Sequence, residues 1–212
     1  MDYKTVKRAA KDELTEKRSR FIGYCQPVAT EEEATAFISA IRSKHWDARH
    51  NVYAYSLRQG NLKRYSDDGE PSGTAGVPVL DVIQKSGVVD VCVVVTRYFG
   101  GVLLGTGGLV RAYSQAAKLA LEAGEIVTMC RCLCCSLRCS YNQYGKVSSL
   151  VQELSAGLDD TVYEADVVLQ FHITPQKLPS LEKQLADATA GEVTVLQESE
   201  AFFPVLQKTD KK

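Results

Sequence analysis

Apolar and polar positions along the chain change rhythm several times, and each change marks an element. Arg20-Phe21-Ile22-Gly23-Tyr24-Cys25 has the make-up of a strand, closed by Pro27. Thr30 then opens a helix. With Glu33 it forms a capping box, Glu31, Glu32 and Glu33 complement the positive end of the helix dipole, and Phe37, Ile38 and Ile41 supply an apolar face. A strand with Val52 and Ala54 alternating against Tyr53 and Tyr55 comes next. Gln59 to Gly76 is polar and rich in turn formers, which predicts a loop. A short helix over Val79 to Lys85 follows, with Pro78 suited to its first turn.

The run from Val89 to Thr96 predicts a strand buried on both faces. A glycine-rich loop leads from it to a helix with Leu109, Tyr113, Ala116 and Ala120 at helical spacing, ended by Gly124. Beyond Gly124 the order becomes β-α-β-β-α-β. The strands are expected at Cys132–Ser140, Thr161–Tyr163, Val167–Ile173 and Glu192–Gln197, and the helices at Asn142–Leu154 and Pro175–Ala188. That order predicts a ferredoxin-like module. The fold class is therefore α+β, with one domain over residues 1–128, a ferredoxin-like βαββαβ domain over 129–205 and a polar tail over 206–212.

Composition narrows the functions open to such a chain. The 212 residues carry a formal net charge of -1, so there is no global basic field to draw in nucleic acid, and any such binding must come from a local patch. Charges sum to +2 before Thr128 and -3 from Thr128 onward, which makes the first domain the better candidate for an anion. No apolar run approaches the roughly 20 residues that span a bilayer, and no membrane association is expected. Met1-Asp2-Tyr3-Lys4 lacks the apolar centre of a secretory signal, so a cytoplasmic location is expected.

Of the seven cysteines, Cys130, Cys132, Cys134, Cys135 and Cys139 crowd one segment while Cys25 and Cys92 stand alone, unlike a secreted disulfide framework. Cys132 and Cys135 make a formal C-x-x-C, yet on a strand they face opposite ways. Cys132 and Cys134 share a face but sit about 6.6–7 Å apart, too far for one tetrahedral zinc with bonds of about 2.3 Å. Buried thiols are the expectation, with no metal and no cofactor. His172 alternates outward from Val167, Leu169, Phe171 and Ile173.

Three segments of the first domain carry chemistry beyond scaffolding. Between Ala34 and Ser66 lie six basic residues, Arg42, Lys44, Arg49, Arg58, Lys63 and Arg64, against one acid, Asp47. Trp46, His50, Tyr53, Tyr55 and Tyr65 are interleaved with them. Cations that neutralise phosphate beside rings that stack on bases are what single-stranded RNA recognition uses, although the same run also fits a solvated strand with its aromatics in the core. The second segment, Ser66 to Thr74, holds Asp67, Asp68 and Glu70, which could bind Mg²⁺ or act as acid and base, with Ser72 close by; a tight turn capping the next helix is the plainer reading. The third runs from Thr96 to Arg111. Gly100, Gly101, Gly105, Gly107 and Gly108 let the backbone approach a ligand, and Arg97 and Arg111 could grip one phosphate from two sides, with Tyr98 stacking nearby. Neither a Walker A loop nor a complete dinucleotide fingerprint is present. No serine or cysteine nucleophile is placed near His50, so no catalytic residue is assigned.

Ser19-Arg20-Phe21-Ile22-Gly23, Trp46 to Tyr55, Ser66 to Pro71, and Arg97-Tyr98-Phe99-Gly100-Gly101 through Arg111 together resemble the YigZ/IMPACT family over nearly the whole chain. That resemblance implies a first domain similar to the second domain of ribosomal protein S5, with a left-handed βαβ crossover, and a ferredoxin-like second domain, a pair also similar to the last two domains of elongation factor G. It implies a translation-linked regulator that contacts RNA, the ribosome or a translation factor through the first domain. The alternative is an enzyme binding a nucleotide or phosphate metabolite through the glycine-rich loop and the Asp67-Asp68-Glu70 carboxylates.

Overall fold

The computed structural model describes residues 2–204, so the tail expected at 206–212 lies outside the described residues. Two compact units divide at Thr128. The first contains β1 (Tyr3–Val6), β2 (Ala10–Glu16), β3 (Ser19–Pro27), α1 (Glu31–Lys44), β4 (His50–Leu57), β5 (Leu62–Ser66), α2 (Gly76–Ser86), β6 (Val91–Tyr98) and α3 (Thr106–Ala123). Strand β7 (Ile126–Cys139) crosses the boundary, and α4 (Tyr141–Leu154), β8 (Gly157–Tyr163), β9 (Val167–Ile173), α5 (Leu178–Thr189) and β10 (Val195–Pro204) complete the second.

In the first unit the sheet order is β2-β3-β6-β4-β5, and every neighbouring pair is antiparallel. The apolar run foreseen after Val89 is thus the central strand. Because β3 and β4 both run against β6, they run parallel to each other and need α1 as a crossover. Side chains of β6 alternate between two cores. Val91, Val93 and Val95 meet α2 and α3 with Phe21, Val52 and Tyr113, whereas Cys92 and Val94 meet α1 with Ile22, Tyr24, Ile38 and Ile41. Each such fully buried valine contributes roughly 1.5–3 kcal/mol. Helix α3 approaches β3 so closely that a Cβ on Gly23 would lie 2.3 Å from the Ala116 carbonyl oxygen.

Local signals explain most element ends. Thr30 Oγ1 accepts from the Glu33 amide at 3.3 Å, but the Glu33 carboxylate takes the Ala29 amide at 2.7 Å, one residue before the expected partner. Gly124 closes α3 as expected. One expectation fails: Gln59–Gly76 is not all loop, since Leu62–Ser66 forms β5 and pairs with β4 from Leu57↔Leu62 to Tyr53↔Ser66. An exposed edge strand of mostly polar residues has no apolar alternation to announce it.

The second unit orders its strands β10-β7-β9-β8, again all antiparallel, which is the ferredoxin-like arrangement. Leu133, Cys135, Leu137 and Cys139 pack with Val167, Leu169, Phe171 and Ile173 against α4 and α5. Strand β10 runs to Pro204, beyond the expected Gln197, because its pairing with β7 carries polar residues along. His172, outside this core, stacks on Phe203 with ring centroids 3.8 Å apart and places Nδ1 2.7 Å from Asp159.

Burial accounts for the cysteine chemistry. It pushes the thiols of Cys25, Cys132 and Cys135 up to about 11 and raises Cys92 and Cys139 as well. The raised thiols stay protonated at pH 8 and lack the nucleophilic thiolate. Cys130 is raised too, but it and Cys134 are the two thiols that are not fully buried, so Ellman's reagent should react promptly with at most these two in the native protein, and with all seven cysteines after unfolding. Prompt native reaction of four or more would contradict this burial.

Candidate functional site

Arg97 is the penultimate residue of β6 and by alternation faces the same side as Val95. Its side chain is only 6% exposed, and its Nη1 donates to Glu70 Oε1 at 2.6 Å. Tyr113 Oη donates to the same oxygen at 2.8 Å. The guanidinium lies over the rings of Phe21 and Phe99, at 5.4 and 5.5 Å from their centroids. Ser19 Oγ accepts the Gly100 amide at 3.2 Å and stands 3.5 Å from Arg97 Nη2. Across the register from Arg97 is His50. Its Nδ1 donates to the Asp68 carbonyl at 2.9 Å, which leaves Nε2 3.9 Å from Glu70 Oε1. Four segments, the β2–β3 turn, the start of β4, the Asp67–Glu70 loop and the β6–α3 loop, are thus tied around one enclosed ion pair.

This geometry changes the expected role of Arg97. A guanidinium enclosed against Glu70 is not a surface grip for phosphate. Nor do Arg97 and Arg111 meet: Arg111 lies two positions before the buried Tyr113, about 200° around α3, and so points outward. The proposed two-sided phosphate grip is absent.

The three carboxylates also have partners. Asp67 accepts from the Gly73, Ala75 and Gly76 amides at 2.9, 3.1 and 2.8 Å, which holds the start of α2. Asp68 accepts from the Asn51 amide at 2.7 Å and from Arg42 at 2.6 Å. Glu70 is taken by Arg97 and Tyr113. A divalent ion needs such oxygens free, so the loop is built as a brace, with Ser72 exposed at its edge. Tyr53 and Tyr55 stack on each other at 6.3 Å and belong to the α1 core; Tyr55 donates to Glu31 at 2.5 Å. Tyr98 donates to Asp47 at 2.9 Å. None of the three tyrosines is a free stacking surface.

The glycines answer mainly to the fold. Gly100 packs where a Cβ would stand 2.0 Å from the Arg18 carbonyl group, and Gly105, with φ 70°, turns the chain into α3. Gly101 also has positive φ, Gly108 is closed by Leu104, and Gly107 faces open space apart from the Arg111 guanidinium.

Exposed at this end of the sheet are cations and rings, with the acids Glu16 and Asp47 among them. Lys17 and Arg18 occupy a two-residue turn with φ of 45° and 68°, the shape that suits a tight hairpin. Arg49 precedes β4. The starts of β3 and β4 flank the end of β6, two strand spacings or about 10 Å apart. Among the described residues no carboxylate pairs with Lys17, Arg18 or Arg49; the exposed acids nearest in sequence are Glu16 and Asp47. Trp46 is 84% exposed, Leu103 82% and Phe99 49%. Trp46, Phe99 and the edge-strand Tyr65, not Tyr53, Tyr55 or Tyr98, are the rings of these segments open to solvent. The helical stripe Ala34, Ile38, Ile41 already excluded Trp46 from the core, and that was the signal available for it.

The two units, both α+β, with a braced sheet end in the first and a ferredoxin-like sheet in the second, define a two-domain α+β protein. Residues 17–121 match the Impact N-terminal domain and residues 137–192 match the Domain of unknown function (DUF1949). The chain belongs to the IMPACT family. It is 36% identical over 190 residues to the IMPACT family member YvyE of Bacillus subtilis, covering 89% of this chain and 88% of that one. It is 35% identical to YigZ of Escherichia coli, covering 85% and 90%. A solved structure described as a hypothetical protein has a TM-score of 0.58 at 32% identity, covering 93% of this chain and 98% of that one. Protein IMPACT of Bos taurus is 36% identical over 98 residues, covering 43% of this chain and 30% of that one. No helix among the described residues is long and apolar enough to cross a membrane.

Proposed function

We propose that this protein is a translation-linked regulator that binds RNA of the ribosome through the cationic end of its first sheet. One observation carries the reading. At that end Asp47, Asp67, Asp68 and Glu70 are engaged by protein donors, while Lys17, Arg18 and Arg49 remain exposed without a carboxylate partner among the described residues. Exposed cations without a carboxylate partner at one sheet end are contacts that a phosphate backbone can take. Membership of the IMPACT family supports the translational setting. The engaged carboxylates weigh against a Mg²⁺-dependent nucleotide enzyme and favour binding, with the cytoplasm as the proposed setting.

Co-sedimentation tests this. The full chain should pellet with ribosomal particles at low salt and be released by nuclease treatment. The charge-reversed Arg18→Glu/Arg49→Glu variant should stay in the supernatant. Failure of the unaltered chain to pellet, or equal pelleting of both proteins, would remove the proposal.

A further inference from the structure

Trp46 is the only tryptophan of the chain, and it is the most exposed large apolar side chain among the described residues, at 84%. Scattered exposed apolar residues need no explanation, but an indole left almost wholly in water on a rigid support does. The support is a chain of polar contacts behind the turn. Tyr98 Oη donates to Asp47 at 2.9 Å, so the 2.9 Å contact between His45 Nδ1 and Tyr98 Oη has the imidazole as donor. Nε2 of His45 then accepts from Tyr24 Oη at 2.7 Å. Burial and the neighbouring Lys44 lower the His45 pKa, which keeps the ring in the neutral form this relay requires. The Ala48 amide closes the turn on the His45 carbonyl at 3.0 Å. Residues on both sides of Trp46 are therefore fixed to β3 and β6 while its ring is left free.

Cations flank it. Arg49 is three residues on and exposed, Lys44 is two residues before and lies over the Tyr24 ring at 5.2 Å, and Arg18 lies across the end of β6. Asp47, the adjacent acid, is engaged by Tyr98. A protein partner would use the indole as an anchor for an apolar pocket, but Arg49, exposed three residues on and without a carboxylate partner, favours a ligand that is itself anionic at regular intervals. A flat apolar face with a cation three residues away in the chain matches an unpaired nucleobase and its neighbouring phosphate. A duplex offers no such face along its length, because its bases are stacked on each other.

We infer that Trp46 is a stacking platform for an unpaired base, and hence that the RNA bound by this surface is single-stranded or looped rather than continuous duplex. This inference rests on the proposed RNA reading of the same surface. Pre-organisation is what the relay adds, since a side chain already held in its binding position loses little freedom on complex formation.

The test uses the full chain, a labelled single-stranded oligouridine 12-mer, a 12-base-pair RNA duplex, and the fluorescence of the sole tryptophan. Saturable quenching of Trp46 by the single strand, with affinity at least about tenfold above that for the duplex, is expected. Trp46→Ala should lose roughly tenfold or more in single-strand affinity while its melting temperature is unchanged, and Trp46→Phe should recover part of the loss. Binding of single strand and duplex with equal affinity and no quenching would overturn the stacking platform while leaving the RNA surface standing. Undiminished single-strand affinity in Trp46→Ala would overturn it too and would point to a protein partner for the indole. If neither RNA binds, both the inference and the RNA reading beneath it fall.

Discussion

Arg97→Ala is expected to lower the unfolding free energy of the first unit by about 3–5 kcal/mol, because it leaves the Glu70 carboxylate buried without its counter-charge. Glu70 and Arg97 side chains are only 4% and 6% exposed, so water cannot replace the lost partner without opening the site. Near the transition such a loss corresponds to a fall in melting temperature of roughly 10–20 °C for a unit of this size. A double-mutant cycle separates the pair from the volume change. Arg97→Met with Glu70→Gln removes both charges while an amide oxygen remains for Tyr113 to donate to. The double variant should be more stable than the sum of the single losses predicts. Additive losses in a denaturant titration would mean that the two groups do not stabilise each other. The pair is best understood as a brace. It ties Ser19, Gly100, His50 and Tyr113 together beneath the loops that carry the exposed cations.

Gly100→Ala should be the most damaging of the glycine substitutions in the β6–α3 loop. Its new methyl would stand 2.0 Å from both the carbonyl carbon and oxygen of Arg18 and 2.5 Å from the Ser19 nitrogen, all of them backbone atoms. Rotating a side chain cannot relieve that contact, so the hairpin turn or the loop must move. Overpacking of this kind costs about 1–3 kcal/mol. Movement would also break the Gly100 amide bond to Ser19 and shift Arg18 away from Arg49. Gly107→Ala is the natural comparison, because its methyl meets nothing nearer than the Arg111 guanidinium at 4.0 Å and the site lies inside α3. There alanine should be neutral or stabilising by up to about 1 kcal/mol. Equal urea midpoints for Gly100→Ala and Gly107→Ala would show that the loop does not rest on the turn.

Long periodic segments were legible in the sequence because burial imposes their rhythm. The apolar run through Val95 became the central strand, Leu109, Tyr113, Ala116 and Ala120 became the buried face of α3, and Val167–Ile173 alternated as read. Strand β5 was illegible because it is held by backbone pairing with β4, which leaves no mark on side-chain type. At the site, the alternation of β6 could have placed Arg97 inward with Val95, and the helical period could have placed Arg111 opposite Tyr113. Reading the two arginines as a shared grip ignored both rhythms. Partners such as Glu70, separated from Arg97 by 27 positions and carried on an irregular loop, have no local signature. The same holds for the relay through Tyr24, His45, Tyr98 and Asp47, which joins β3, the end of α1 and β6. Sequence located the segments that gather at this end of the sheet, whereas the division between braced and free charges emerges only from their contacts.

The salt dependence of RNA binding tests the central claim most directly. Anisotropy titrations of the full chain with a labelled single-stranded RNA, repeated at increasing salt, should give an affinity that falls linearly on logarithmic axes. In Arg18→Ala/Arg49→Ala that slope should shrink by about 1.4, since each lost phosphate contact on a single strand removes about 0.7. A flat profile for the unaltered chain, or an unchanged slope in the double variant, would mean that these unpaired cations are not where RNA binds.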